Sequence, residues 1–182
     1  VILIMQLLWF FGIHGFSIMW GLISVIWMPI FMKDIDIYMK TGSLETITHV
    51  APNTLSNVYA MIGGSGSTLA LVVLMLIMAP KGSSERAVGK VALIPGLFGI
   101  NEPVSFGLPI VLNPTMFLPF VMVPIINAVV AYFAISSGLV TPLVVLNSGA
   151  EPVFLNVLVL AGFRWSPVIL YGVLFILDMF LY

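Results

Sequence analysis

A single carboxylate, Glu102, stands in the stretch Pro95 to Pro114, P-G-L-F-G-I-N-E-P-V-S-F-G-L-P-I-V-L-N-P, where every other residue is apolar, glycine, proline, serine or asparagine. The nearest full charge upstream is Lys90. Burying an unpaired ionised group costs several kcal/mol, so a charge placed there is either paired or functional. Proline removes a backbone donor, and glycine weakens a helix interior by roughly 1 kcal/mol, so no unbroken helix runs through this stretch. Irregular backbone at membrane depth survives where it faces protein or a wet cavity. The stretch therefore reads as a re-entrant or broken hairpin holding Asn101 and Glu102 at a binding site. The competing reading is an interfacial loop whose glutamate faces water.

Two further groups have chemical potential. His14 lies in Gly12-Ile13-His14-Gly15 within the apolar run Val1 to Met32. Its glycine flanks leave room for a ligand to approach, and an imidazole can exchange a proton near neutral pH. A histidine bonded to a neighbouring carbonyl for structural reasons fits the same spacing. Gly63-Gly64-Ser65-Gly66-Ser67-Thr68 can offer backbone N–H groups and hydroxyls to a polar ligand. It lacks the lysine of a phosphate-binding loop, and small residues in membranes also serve simply to let helices pack closely.

The elements that must position these groups are membrane helices. The chain has 182 residues, 61% hydrophobic and only 7% charged, with a mean hydropathy of +1.21, against about 25% charged in ordinary globular domains. It reads as an all-α integral membrane protein with roughly five or six crossings or re-entrant pieces. A β-barrel is disfavoured because the apolar runs do not alternate with polar residues. The net charge of −1 argues against a nucleic-acid partner. The absence of cysteine excludes a disulfide, a thiol nucleophile and a thiolate metal site. The sequence calls for no metal and no cofactor. Because the chain starts at Val1 and stops at Tyr182 inside apolar runs, it reads as a fragment of a longer protein.

In order, residues 1–32 read as a broken transmembrane helix carrying His14, and 33–52 as a polar loop with a short interfacial helix. His49, in that wet stretch, reads as a solvated surface residue. Residues 53–80 form a glycine-interrupted hairpin or span. Residues 81–90 hold Lys81, Arg86 and Lys90, half of the six basic residues, and read as a cytoplasmic loop. Residues 91–114 form the re-entrant hairpin, 115–135 a full span, 136–152 a loop and 153–182 the last membrane segments. Arg164 beside Trp165 suits an interfacial anchor. Asp178 is expected near the headgroups, with an inward ion pair as the alternative.

Gly99-Ile100-Asn101-Glu102-Pro103, with Phe106 to Pro114 after it, resembles the Asn-Glu-Pro signature of the membrane-embedded IIC permeases of the lactose/cellobiose phosphotransferase family. Leu8-Trp9-Phe10-Phe11-Gly12-Ile13-His14-Gly15 resembles that family's histidine motif, and Ile62 to Leu69 its glycine-rich hairpin. The three occur in the family's order, from about Leu7 to Tyr132. The resemblance implies the C-terminal, sugar-binding half of a multi-pass permease of the bacterial plasma membrane, homodimeric at full length. It implies uptake of a β-linked disaccharide, released inside as the 6-phosphate, with the phosphoryl group drawn from a phosphocysteine on a IIB partner. Phosphoryl transfer asks mainly for positioning and removal of a hydroxyl proton. On this reading Glu102 bonds the 6-hydroxyl, and His14 orients it or takes its proton. Asn101 donates to a neighbouring hydroxyl, while Gly64, Ser67 and Thr68 line the opposite wall. The chain departs from the family pattern at Asn147 to Pro152, where a tryptophan-containing segment is expected, and at Asn53 and Asn57, where acidic residues are common. These departures leave the identity of the sugar open. A proton-coupled secondary transporter would also place Glu102 and His14 at midplane, and a receptor or structural fragment would tolerate Glu102→Gln.

Overall fold

A computed structural model describes residues 1–43, 47, 50–143 and 150–182. The described residues form helices and no strand. Helix α1 (Ile2–Phe10) ends at a turn, and α2 (Gly15–Thr41) then runs for 27 residues, roughly 40 Å at 1.5 Å per residue. A short α3 (Pro52–Thr54) passes into a π-helical turn, Leu55–Tyr59. A 3-10 turn, Ser65–Ser67, leads into α4 (Leu69–Met78). Helices α5 (Ser84–Leu97), α6 (Glu102–Gly107), α7 (Pro114–Ser136), α8 (Val153–Leu160) and α9 (Trp165–Leu181) follow. Among the described residues, α2 and α7 are long and apolar enough to cross a bilayer.

Positive-φ glycines mark the breaks at Gly12, at Gly63, Gly64 and Gly66, and at Gly99. In contrast, α2 runs unbroken through Gly21 and Pro29, and Pro95, Pro119 and Pro124 lie inside helices. Two boundaries also differ from those expected. The polar loop expected over 33–52 is helical as far as Thr41. There, Lys40 pairs with Asp36 at 2.6 Å across one turn, and Gly42, at φ 67°, accepts the left-handed stop. The loop expected over 81–90 is shorter than predicted. Ser83 caps α5 by accepting from the Arg86 N–H at 3.2 Å, so Arg86 and Lys90 ride on a helix. Glu45 and His49, like Asn147 to Gly149 of the divergent segment, lie outside the described residues.

Two apolar clusters hold the bundle. Tyr59, Ile62, Leu69, Ala131, Tyr171 and Leu174 lie in one, which joins the π-turn to α7 and α9. Trp9, Val72, Ala92, Val104, Ile110 and Phe120 lie in the other, which joins α1 to α4, α5, α6 and α7. Between them sits the segment 60–68, packed on α1 and α7. In a membrane the lipid competes equally for apolar surface, so small residues and interhelical hydrogen bonds set which faces meet.

Candidate functional site

The break between α5 and α6 is the turn Phe98 to Asn101, after which Glu102 opens α6 with Pro103 beside it. Proline suits a first helical turn, where its missing N–H has no partner to lose. The turn is locked onto the glycine hairpin. Asn101, 4% exposed, donates from Nδ2 to the Ser65 carbonyl at 3.0 Å and to Ser105 Oγ at 3.1 Å. At Gly64, φ 104°, an added Cβ would come within 2.7 Å of Asn101 Cβ and 2.9 Å of the Gly99 carbonyl oxygen. Only glycine allows that approach.

This interlocked pair forms one wall of a cavity of about 980 Å³, at the upper end of the range for small-ligand clefts. Gly64, Ser65, Asn101 and Glu102 line it from this side. Trp9, His14, Phe16 and Trp20 line it from the α1–α2 junction, and Asn53 and Asn57 from the π-turn arm. Glu151, Asn156 and Tyr171 contribute from α8, its approach and α9. Asn53 Oδ1, Asn57 Oδ1 and Trp9 Nε1 are buried and have no partner within the described protein. Buried polar atoms of this kind are usually satisfied by something, so the wall is chemically set to take hydroxyls. Among the described residues, nothing hydrogen-bonds or pairs with the carboxylate of Glu102, and no cluster could hold a metal ion.

His14 caps α2, its Nδ1 accepting from the Ser17 N–H at 3.2 Å with Ser17 Oγ at 2.8 Å. Its ring packs on Trp9 at 4.7 Å between centroids. A backbone N–H can only donate, so Nδ1 carries the lone pair and the neutral ring carries its proton on Nε2. His14 thus presents an N–H donor, and the structure argues against the proton acceptor that the sequence left open for it.

Three other expected roles change. Both Nδ2 hydrogens of Asn101 are taken by Ser65 and Ser105, so the side chain fastens the wall and has no N–H left for a ligand. Ser67 and Thr68 are fully buried behind the wall, Ser67 bonded to Ala60, Ile62 and Asn127 and Thr68 to the Gly63 carbonyl. Of the segment 60–68, Met61, Gly64 and Ser65 reach the cavity. Asp178, expected near the headgroups or in an ion pair, is fully buried and accepts from Asn127 Nδ2 at 3.1 Å. Sequence reasoning missed Trp20 and Asn156 as lining residues. The stacked pair Phe16 and Trp20, one helical turn apart, was the available signal, because aromatic faces suit the C–H faces of a pyranose.

The "Phosphotransferase system, EIIC" family model matches residues 1–124. The "PTS system cellobiose-specific EIIC component" of Lactococcus lactis subsp. lactis (strain IL1403) is 31% identical over 188 residues, covering 93% of this chain and 38% of that protein. The "PTS system oligo-beta-mannoside-specific EIIC component" of Bacillus subtilis (strain 168) is 40% identical over 138 residues, 75% of this chain and 30% of that protein. A "PTS system lactose-specific EIICB component" of Staphylococcus haemolyticus (strain JCSC1435) is 31% identical over 174 residues, 96% of this chain and 29% of that protein. The crystal structure of the transporter ChbC, the IIC component from an N,N'-diacetylchitobiose-specific phosphotransferase system, superposes with a TM-score of 0.87 at 34% identity. It covers all of this chain and 41% of that one. The chain thus spans about two fifths or less of the length of these proteins.

Proposed function

The chain belongs to the EIIC family of the phosphotransferase system, and we propose that it forms the sugar-binding half of a multi-pass bacterial membrane permease. The permease binds a β-linked disaccharide from outside and presents its 6-hydroxyl to a phosphocysteine on a IIB partner. The hydroxyl oxygen bonds to phosphorus, the S–P bond breaks, the thiolate leaves and Glu102 takes the hydroxyl proton. His14 holds the same oxygen through its Nε2–H. Sugar 6-phosphate then departs to the cytoplasm. The reading places the basic groups Lys81, Arg86 and Lys90 on that side, where they can meet IIB. Full-length protein is a homodimer on this reading.

The observation that carries the proposal is the meeting of an unpaired carboxylate, Glu102, with the imidazole of His14 on one cavity that also presents amides, indoles and a second carboxylate, Glu151. Phosphoryl transfer needs little covalent help from protein, so a base and a donor converging on the acceptor hydroxyl suffice. The names of the relatives, cellobiose, oligo-β-mannoside and lactose permeases, support this substrate class. The lactose relative named EIICB supports the pairing with IIB.

The test is uptake of labelled cellobiose by cells carrying the full-length permease, with and without a IIB phosphoryl donor. The expected product is sugar phosphate, lost in Glu102→Gln, which remains monodisperse in detergent. Free sugar accumulating without a phosphoryl donor would instead identify a proton-driven transporter.

A further inference from the structure

The site reading uses nothing behind the glycine hairpin, yet a buried carboxylate lies there. Ser67 holds a left-handed backbone, φ 55°, which is uncommon for a residue with a side chain. Its Oγ donates to the Ala60 carbonyl at 3.1 Å and accepts from the Ile62 N–H at 3.2 Å and from Asn127 Nδ2 at 3.2 Å. One O–H and two lone pairs are thereby all committed. The second Nδ2 hydrogen of Asn127 goes to Asp178 Oδ2 at 3.1 Å. Asn127, Ser67 and Asp178 are all fully buried.

The hydrogen-bond valences fix the direction of this chain. Ser67 has no hydrogen left for Asn127, so the amide must turn Nδ2 toward it. That orientation leaves the buried Oδ1 of Asn127 without a partner among the described residues, and what holds it is the acceptor that Asp178 supplies for the other Nδ2 hydrogen. Without an acceptor at 178 the amide is free to rotate its oxygen toward Ser67, which can satisfy it only by releasing Ala60. The same helix end grips the hairpin a second time, since the Tyr182 hydroxyl donates to the Gly66 carbonyl. The Gly66 N–H donates to Gln6 Oε1 at 2.9 Å. On the front of the hairpin are Gly64 and Ser65, and the Ser65 carbonyl receives Asn101, next to Glu102.

We propose that Asp178 is a positioning residue for the sugar site, acting through Asn127 and Ser67 to hold the hairpin 60–68 in the shape that sets the wall beside Glu102. The sugar-affinity half of this inference rests on the reading of the cavity as a sugar site, whereas the mechanical half does not. The relay crosses from α9 through α7 to the hairpin and ends on the cavity wall.

The experiment uses the full-length permease in detergent, with Asp178→Leu, Asp178→Asn and Ser67→Ala, and reads backbone hydrogen exchange peptide by peptide together with cellobiose affinity. Leucine removes the acceptor, and exchange over 60–68 is expected to accelerate by about tenfold or more. Asparagine can turn its own Oδ1 to Asn127, and exchange is expected within about twofold of the parent. Ser67→Ala cuts the relay at the hairpin and reproduces the leucine effect, which keeps the test decisive if Asp178→Leu does not fold. The dissociation constant for cellobiose should rise by about tenfold wherever the hairpin loosens. Exchange that rises in α7 and α9 while 60–68 keeps the parental rate overturns the relay. So does a loosened hairpin with unchanged cellobiose affinity, which would reduce the network to scaffolding. If the parent itself binds neither cellobiose nor another β-linked disaccharide, the sugar reading fails, and the exchange rates still decide whether Asp178 holds the hairpin.

Discussion

The two walls of the cavity are built on different principles. On the α2 side, His14 is held by Ser17, three residues away, and by tilted ring packing against Trp9, five residues away. On the hairpin side, the bonds that fasten the wall join residues far apart in the chain. Ser65 to Asn101 spans 36 residues, Asn127 to Asp178 spans 51, Ser67 to Asn127 and Gly66 to Gln6 span 60, and Gly66 to Tyr182 spans 116. The local wall can be disturbed without disturbing the bundle, whereas the fastened wall cannot. Under the proposed function, one firmly fastened wall and one locally held wall would suit a site that holds an acceptor hydroxyl in line with a phosphorus atom and still admits and releases a sugar.

Substitutions separate the two walls, and the largest effect is expected at Gly64. Gly64→Ala drives a Cβ into Asn101 and places a side chain at φ 104°, a combined cost of about 3 kcal/mol or more. Thermal unfolding in detergent should show the loss, and cellobiose binding should vanish with it. Alanine at this position with parental stability would mean that the hairpin and the Asn-Glu-Pro turn are not interlocked.

Asn101→Ala comes next. It leaves the buried Ser65 carbonyl without its donor, which costs about 1–3 kcal/mol. The same thermal measurement checks it, and Asn101→Asp should not rescue, because a carboxylate cannot donate to a carbonyl.

On the locally held wall, His14→Asn should do less to the fold. Asparagine is a good helix cap and can accept from the Ser17 N–H, but it is too short to deliver the imidazole's Nε2–H. Unfolding should stay within about 0.5 kcal/mol of the parent, while cellobiose affinity falls by about 1 kcal/mol for the lost hydrogen bond. Phosphorylation at saturating sugar should fall in step with orientation of the hydroxyl, without the roughly 100-fold or greater drop that loss of a general base brings. A drop of that size would return proton abstraction to His14.

The smallest effect is expected outside both walls. A hydrogen bond from its own backbone N–H, then one from the Ser83 hydroxyl, hold the exposed Glu85 carboxyl below the usual carboxylate range. A pKa lowered by folding adds stability above the unfolded-state value, and that stability is lost as pH falls through the folded value. The parent should therefore be slightly more stable than Glu85→Gln at pH 7, with the gap closing below about pH 4. Cellobiose affinity should be the same in both proteins, in contrast to every substitution at the walls.

What the sequence determined by itself followed from local physics. Apolar runs with 7% charge point to a membrane, and clustered glycines interrupt helices, so the breaks near 12–15, 63–66 and 98–101 were legible, whereas Pro29, Pro95, Pro119 and Pro124 are accommodated inside helices. Glu102 stood out because a lone carboxylate in such a stretch has a large solvation cost whatever the fold. The helical run from Lys33 to Thr41 was missed because residue polarity suggested a loop, whereas an ion pair across one turn and a left-handed glycine stop favoured helix. The tertiary structure alone decided what each polar group has left to offer. Asn101, Ser67 and Thr68 carry side-chain donors in any reading of the sequence, yet the side-chain hydrogens of all three are committed to partners within the protein. Asp178 looked like a headgroup residue because helix position sets its depth in the sequence, but its partner lies on α7. A hydrogen-bonding group has a fixed number of bonds to make, and only the folded chain shows which remain for a ligand.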